Sequence, residues 1–106
     1  MKLSINKSIF NYITTSPSYI KTKKLTLIYR CCENNCLGFI VPRALGAAHK
    51  RNLFRRRCRN AFHQYLLNND QEVSPVGVIM KPLSIDINYN QISNIFHKLS
   101  DELMES

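Results

Sequence analysis

The chain has 106 residues, of which 15 are Lys or Arg and seven are Asp or Glu, so its formal net charge is +8. This length has room for a single domain over residues 1–106, and the charge favours a polyanionic partner. No apolar stretch approaches the roughly 20 residues of a membrane-spanning helix, and the N-terminus lacks the apolar segment of a signal peptide. We therefore expect a cytoplasmic protein without a membrane partner.

The first predicted element is a short amphipathic helix. Its apolar residues recur at helical spacing and are Leu3, Ile5, Ile9, Phe10 and Ile13. The dipeptide Ser16-Pro17 ends the helix, because the residue before a proline disfavours helical geometry.

Two extended segments follow. Leu25, Leu27 and Tyr29 alternate with other residues as in a strand, and residues 37–41 form a second strand. Between them lies Glu33-Asn34-Asn35, whose residue types are typical of turns. The sequence therefore predicts that these two strands pair as a β-hairpin.

A strongly basic helix is predicted from about residue 50 to about residue 67. Its apolar face contains Phe54, Cys58, Ala61, Phe62 and Tyr65, and its flank carries Asn52, Arg55, Arg56 and Arg59. No acidic residue occurs in this segment, although a helix that is merely solvated usually includes acids for pairing four residues apart. We interpret the helix as one that packs through its apolar face and binds RNA through its flank.

The remaining elements are a strand and a helix. Residues 76–80 are apolar at successive positions, which predicts a central strand, and this strand is expected to lie parallel to the one before the basic helix. Asn88 or Asn90 is expected to cap the last helix. The core stripe of that helix is Ile92, Ile95, Phe96, Leu99 and Leu103.

Four cysteines raise the question of a zinc site. Cys32 and Cys36 have the spacing of one ligand pair, but no second pair accompanies them, and Cys58 falls on the apolar helix face. We expect free, reduced thiols and no metal ion held by the protein.

Two segments of the chain resemble the protein subunit of bacterial ribonuclease P. They are Gly38-Phe39-Ile40-Val41 and Gly46-x-Ala48-x-x-Arg51-Asn52-x-Phe54-Arg55-Arg56-x-x-Arg59-x-Ala61-Phe62. Looser agreement is found at Phe10-x-x-Ile13, Leu25-x-Leu27-x-Tyr29 and Lys81-Pro82. The closer match fixes several polar positions in one helix, which makes the resemblance specific.

The resemblance implies a fold. It is a single small α+β domain with the order α-β-β-β-α-β-α, similar to a domain of ribosomal protein S5, with a left-handed β-α-β crossover through the basic helix. Such a crossover is opposite to the usual right-handed preference. Only two strands are clear before the basic helix, so residues 19–22 would supply the short first strand.

The resemblance also implies a function. In this family the protein is the cofactor of a catalytic RNA, and the complex removes the 5′ leader of precursor tRNA. The implied partners are this RNA and precursor tRNA, with no obligate protein partner. The implied Mg²⁺ acts through the RNA subunit and is not held tightly by the protein.

The resemblance further implies site residues. Those expected to contact the catalytic RNA are Arg43, Lys50, Arg51, Asn52, Arg55, Arg56, Arg59 and His63. In the family the leader lies in a cleft between the first helix, the sheet and the basic helix, so the leader candidates are Lys7, Phe10, Tyr12 and Tyr29. Three alternatives stay open: Asn52 could cap the helix, the stem of Arg51 could pack, and Phe10 could be a core residue.

The chain departs from the family pattern at Pro42, Ala44, Leu53 and Asn60. Leu53 stands where the family has the second arginine of its Arg-Asn-Arg motif. Arg57 adds a charge, but by helical spacing it points away from Arg55 and Arg59. We expect a thinner basic surface than the family norm near Leu53 and Pro42.

The acidic residues are not spaced for hydrolysis by the protein itself. They occur in a turn, in loops and near the C-terminus, without a pair suited to acid and base roles or to metal binding. His63 on a basic helix is more typical of a phosphate or packing contact, so we expect the chain alone to be inactive. The alternatives are a general RNA-binding or ribosome-associated chaperone domain of similar fold, and an independent nuclease.

Overall fold

The computed structural model describes residues 4–69 and 74–104. Its elements are α1 (Lys7–Thr15), β1 (Ser18–Lys21), β2 (Leu25–Cys31), β3 (Cys36–Phe39), α2 (Ala48–Asn68), β4 (Val76–Pro82) and α3 (Tyr89–Met104). A short 3-10 helix, Arg43–Leu45, connects β3 to α2. The order α-β-β-β-α-β-α is the predicted one, and β1 is the short first strand that the resemblance required.

The four strands form one sheet in the order β1-β2-β4-β3. β2 is antiparallel to β1 and to β4, whereas β3 is parallel to β4. The predictions that β4 is central and that β3 and β4 lie parallel on either side of α2 in the chain are confirmed. β4 is apolar at successive positions because strands cover both of its edges and helices cover both of its faces.

The predicted hairpin between β2 and β3 is wrong, because β4 lies between these strands. The turn residues reverse the chain as expected, but they also help to hold the inserted strand. Asn35 accepts a hydrogen bond at Oδ1 from the backbone N–H of Val76, with an N···O distance of 2.9 Å. The hairpin partner of β2 is β1.

The helix ends follow from their capping side chains. α1 begins after Asn6, whose Oδ1 accepts a hydrogen bond from the N–H of Ile9 at 2.8 Å, so Ile5 lies before the helix, and Leu3 lies outside the described residues. α3 begins after Asn88, which exchanges two side-chain hydrogen bonds with Gln91 in a capping box. Asn88 is therefore the cap, one of the two predicted candidates.

The sheet has two differently covered faces. α2 and α3 cover one face, the α2/α3 face, with a core that includes Leu27, Phe54, Phe62, Val78 and Leu99. α1 covers part of the opposite face, the α1 face, over a smaller cluster of Ile13, Ile28, Cys36 and Ile79. The apolar faces predicted for α2 and α3 are thus core, with Leu103 partly buried at the end of the stripe.

α1 approaches the sheet closely above Gly77. A Cβ atom at this residue would lie 2.6 Å from Cδ1 of Ile13 and 2.7 Å from Sγ of Cys32. Ile13 is itself fully buried, so it has little freedom to move away. The missing side chain at Gly77 therefore sets the position of α1 on the sheet.

Candidate nucleic-acid interface

α2 exposes a basic strip that we call the arginine flank, formed by Arg51, Asn52, Arg55, Arg56 and Arg59. The buried residues of α2 are Phe54, Cys58, Ala61, Phe62 and Tyr65. At about 100° per residue the flank lies to one side of this buried face. The flank therefore stays accessible while the helix is anchored in the core.

Three arginines of the flank are oriented by neutral partners. Arg55 donates from Nη1 to Oδ1 of Asn52 at 2.9 Å, and Arg51 donates from Nε to the carbonyl of Gly46 at 3.2 Å. The guanidinium carbon of Arg59 lies 5.5 Å from the centre of the Phe39 ring. Such partners position a guanidinium without neutralising it, and its remaining N–H groups can bind a phosphate.

Two of the open alternatives are decided by these contacts. The N-cap of α2 is Ala47, so Asn52 lies inside the helix and does not cap it. Arg51 is half-buried and its Nε donates to the Gly46 carbonyl, which supports the alternative that its stem packs.

The other predicted RNA contacts do not all lie on the flank. His63 is exposed and falls on the same side of α2 as Arg59, whereas Lys50 falls on the opposite side. Arg43 is exposed on the 3-10 helix before α2. Arg57 points away from the flank as predicted, and its Nη1 donates to the carbonyl of Ile87 at 3.1 Å.

The leader candidates on α1 point in different directions. Phe10 and Tyr12 are two residues apart and therefore do not face the same way. Phe10 is half-buried against the cluster on the α1 face, which makes it partly a core residue. Lys7 is exposed at the start of α1, three residues before Phe10 and so on a neighbouring part of the helix surface.

Tyr12 is engaged within the protein. Its ring centre lies 3.9 Å from the guanidinium carbon of Arg30, and Nη1 of Arg30 donates to the carbonyl of Tyr12 at 2.8 Å. The Tyr12 hydroxyl donates to the carbonyl of Cys31 at 3.4 Å. These contacts hold α1 against the end of β2, although 47% of Tyr12 remains exposed.

Tyr29 does not join the other leader candidates. It packs against the core on the α2/α3 face, and its pKa is raised by burial and then by the nearby carboxylate of Glu102 on α3. Because α1 and α2 cover opposite faces of the sheet, Tyr29 and Phe10 cannot line one surface. The surface beside Phe10 is therefore bordered by α1 and the sheet, and not by α2.

The α1 face carries an open basic row that the sequence did not predict. Lys21 on β1 is registered with Thr26 on β2, and Thr26 is registered with Lys81 on β4. Registered partners point to the same face of a sheet, and both lysines are exposed. Thr26 lies four residues along β2 from Arg30, a distance of roughly 13 Å, so this row lies well away from the Tyr12 contact.

These lysines lie on strands, outside the strongly basic helix in which the sequence concentrates its charge. Alternation along a strand could have indicated part of this surface, because Tyr19 and Lys21 stand two residues apart on one strand and therefore share a face. The position of Lys81 in the same row depends on the pairing of β2 with β4. The predicted hairpin had paired β2 with β3 instead.

The cysteines form no recognisable metal centre. All four are free, and burial raises the pKa of the Cys36 thiol to about 11 and that of Cys58 well above its usual range. Within residues 4–69 and 74–104, no three His, Cys, Asp or Glu side chains are grouped to hold a metal ion. Asp70, Glu72 and Glu105 lie outside these ranges.

Fold and surface together define a small α+β domain whose central helix presents a basic flank. The family model described as Ribonuclease P matches residues 4–104. The chain belongs to this family, as the resemblance predicted, and the family implies tRNA processing in association with ribonuclease P RNA. No curated protein sequence matches the chain significantly.

Solved structures of the family share the fold. The Staphylococcus aureus RNase P protein has a TM-score of 0.65 at 15% identity, covering 96% of this chain and 95% of that one. A mutant of the S. aureus protein with defective mRNA degradation activity has a TM-score of 0.68 at 18% identity, covering 94% and 86%. The Thermotoga maritima RNase P protein has a TM-score of 0.64 at 16% identity, covering 100% and 97%.

Among residues 4–69 and 74–104, no helix is both long enough and apolar enough to cross a bilayer.

Proposed function

We propose that this chain is the protein subunit of a ribonuclease P ribonucleoprotein that removes the 5′ leader from precursor tRNA. It binds the catalytic RNA through the arginine flank and the single-stranded leader through the open part of the α1 face beside Phe10. Cleavage is carried by the RNA with Mg²⁺. The protein acts in the cytoplasm and broadens the range of substrates by holding the leader.

The observation that carries this proposal is that three arginines of the flank are held by uncharged groups. Arg51, Arg55 and Arg59 are held by a carbonyl, an amide and an aromatic ring. Their positive charges are thus fixed in space and remain available for a polyanion. Contacts of this kind to phosphates position an RNA without reading its sequence, which suits a large folded RNA partner.

The placement of the acidic residues supports a role for the protein without its own chemistry. Among the described residues, Glu33 lies in the turn after β2, Asp86 lies before α3, and Asp101 and Glu102 lie on α3. All four are exposed. This arrangement does not provide two carboxylates around one reacting phosphate, as metal-assisted hydrolysis requires, and it supports the assignment of Mg²⁺ to the RNA subunit.

Phe10 and the exposed lysines support leader binding. A half-buried aromatic ring beside an open sheet face offers a stacking surface for an unpaired base. Lys7 is exposed on the same helix as Phe10, and Lys81 is exposed on β4, on the face of the sheet that α1 partly covers. Stacking with backbone charge contacts tolerates many sequences, as a protein that serves many precursor tRNAs requires.

The proposal is tested with a bacterial ribonuclease P RNA, precursor tRNA and the purified protein. At a low Mg²⁺ concentration the RNA alone is expected to cleave slowly, because phosphate repulsion is poorly screened, and the protein should restore cleavage at the 5′ end of the mature tRNA. Protein alone should not cleave. Binding to RNA without any stimulation would support a general RNA-binding domain instead.

A second substrate completes this assay. Because a mutant of the S. aureus protein is described by its defective mRNA degradation, an mRNA should be incubated with the protein alone. Metal-dependent degradation of either substrate without the catalytic RNA would support an independent nuclease and contradict the proposal.

A further inference from the structure

Tyr19 is the most exposed aromatic residue of the α1 face. Its side chain is 52% exposed, and it is registered with Ile28, which belongs to the cluster under α1. Tyr19 therefore points to the same side of the sheet as α1. A large exposed ring on an edge strand contributes little to the core. It is therefore available for contact with a binding partner.

Lys21 is placed beside this ring. Its Nζ lies 5.3 Å from the centre of the Tyr19 ring, within the range of a cation–π contact. The two residues thus form a unit with one aromatic face and one ammonium group. A nucleotide offers the complementary pair, a base that stacks and a phosphate that binds the charge.

The unit lies on the same face of the sheet as the leader surface proposed above. Lys21, Thr26 and Lys81 form one row across β1, β2 and β4. Two strand spacings separate Lys81 from Lys21, which is roughly 10 Å. An extended nucleic acid strand that leaves the surface beside Phe10 can cross this row to reach Tyr19.

The direction of the path follows from the strand order. β1 and β3 are opposite edges of the sheet, and Arg59 of the arginine flank contacts Phe39 on β3. If the catalytic RNA is bound at the flank, β1 is the edge farthest from it. Tyr19 would then meet leader nucleotides that lie farther from the cleavage site than those at Phe10.

We propose that Tyr19 and Lys21 form a second binding site for the single-stranded leader, with Tyr19 stacking on a base and Lys21 binding an adjacent phosphate. This inference rests on the proposed function, since it extends the leader path. It makes affinity depend on leader length: a leader gains affinity from this site only when it is long enough to cross the sheet.

The test is a set of precursor tRNAs whose leaders lengthen by one nucleotide at a time, bound to the reconstituted complex. Tyr19→Ala should lower affinity about tenfold for long leaders and leave the shortest leader and mature tRNA unchanged. Tyr19→Phe should retain affinity because it still stacks. Lys21→Gln should weaken binding of long leaders and reduce the salt slope by about one.

Tyr89→Ala is the matched control, since Tyr89 is also a partly exposed tyrosine, 36% exposed, at the start of α3. It should bind every leader as the wild type does. An equal loss for all leader lengths, or no loss for any of them, would overturn the inference. Wild-type stimulation of cleavage in the same preparations tests the proposed function separately, so this site can fail while that function stands.

Discussion

Arg57 lies in the most basic segment of the chain, yet its guanidinium donates a hydrogen bond to the backbone carbonyl of Ile87 at 3.1 Å. Ile87 is buried in the segment between β4 and α3. Arg57 therefore joins α2 to the entry of α3, while Arg55 and Arg59 face the other way. One run of arginines thus includes both an exposed flank, which we propose binds RNA, and an internal anchor.

The arginine flank should lose RNA affinity when its charges are removed. We predict that Arg55→Ala and Arg59→Ala each weaken binding of the catalytic RNA by about 1 to 2 kcal/mol, the range for charge-assisted hydrogen bonds. Filter binding over a range of salt concentrations should also show a slope reduced by about one for each variant. The thermal transition should stay near that of the wild type.

Arg57→Ala should give the opposite pattern. Removal of the guanidinium leaves the Ile87 carbonyl without this partner, so we expect the free energy of unfolding to fall by about 1 kcal/mol. RNA affinity and its salt slope should change less than in Arg59→Ala. If Arg57 instead dominated binding in the same salt titration, the orientation of α2 described above would be incorrect.

The Tyr65 hydroxyl should be dispensable for stability. It is buried and has no hydrogen-bond partner within residues 4–69 and 74–104. Tyr65→Phe removes this polar group and keeps the ring that stacks on Phe62, so we predict that the free energy of unfolding rises by about 1 kcal/mol. Urea denaturation at neutral pH measures the change, and a clear destabilisation would reveal a partner for the hydroxyl.

The same residue should make stability depend on alkaline pH. Burial raises the pKa of Tyr65 from 10.0 to about 12, so the unfolded chain releases this proton at a lower pH than the folded protein does. The contribution of this group to the free energy of unfolding is fully present below pH 10 and is lost as the pH rises towards 12. The wild type should therefore lose more stability than Tyr65→Phe over this interval.

Close packing of α1 should make Gly77 intolerant of a side chain. Gly77→Ala places a methyl group against Ile13 and Cys32, and we expect the free energy of unfolding to fall by about 1 to 3 kcal/mol. Ile13→Val removes the contacting Cδ1 atom. In a double-mutant cycle, Gly77→Ala should cost less in the Ile13→Val background, and strict additivity would contradict the proposed contact.

Alanine substitutions at Phe10 and Tyr12 should have different effects on substrate binding. Phe10→Ala should lower the affinity of the complex for precursor tRNA by roughly 1 to 3 kcal/mol and leave mature tRNA unaffected. Tyr12→Ala should mainly lower the melting temperature, since this ring contacts Arg30. A loss specific to precursor tRNA in Tyr12→Ala, with none in Phe10→Ala, would place the leader on the other side of α1.

The sequence predicted the features that depend on local periodicity. Helical spacing predicts the apolar face of α2, and relative to that face it also predicts the directions of Arg57 and Arg59. Asn88 was one of two predicted caps, because a capping side chain bonds within one turn. The apolar run of β4 indicated a central strand because only a strand covered on both faces lacks polar alternation.

Features that join distant segments were not predictable in the same way. The turn at Glu33-Asn34-Asn35 indicates only that the chain reverses, and the strand that enters the gap begins 41 positions after Asn35. The partner of Arg57 is 30 positions away. The row containing Lys21 and Lys81 depends on the register of three strands, and that register is set by the packing of the whole sheet.

The most direct test of the account compares the wild type with the Arg55→Ala/Arg59→Ala double variant in cleavage of precursor tRNA by a ribonuclease P RNA at low Mg²⁺. Arg57→Ala serves as the arginine control. We predict that the wild type and Arg57→Ala stimulate cleavage and that the double variant loses stimulation unless protein is in excess. No protein should cleave without the RNA. Cleavage by the wild-type protein alone, or full stimulation by the double variant at limiting concentration, would contradict it.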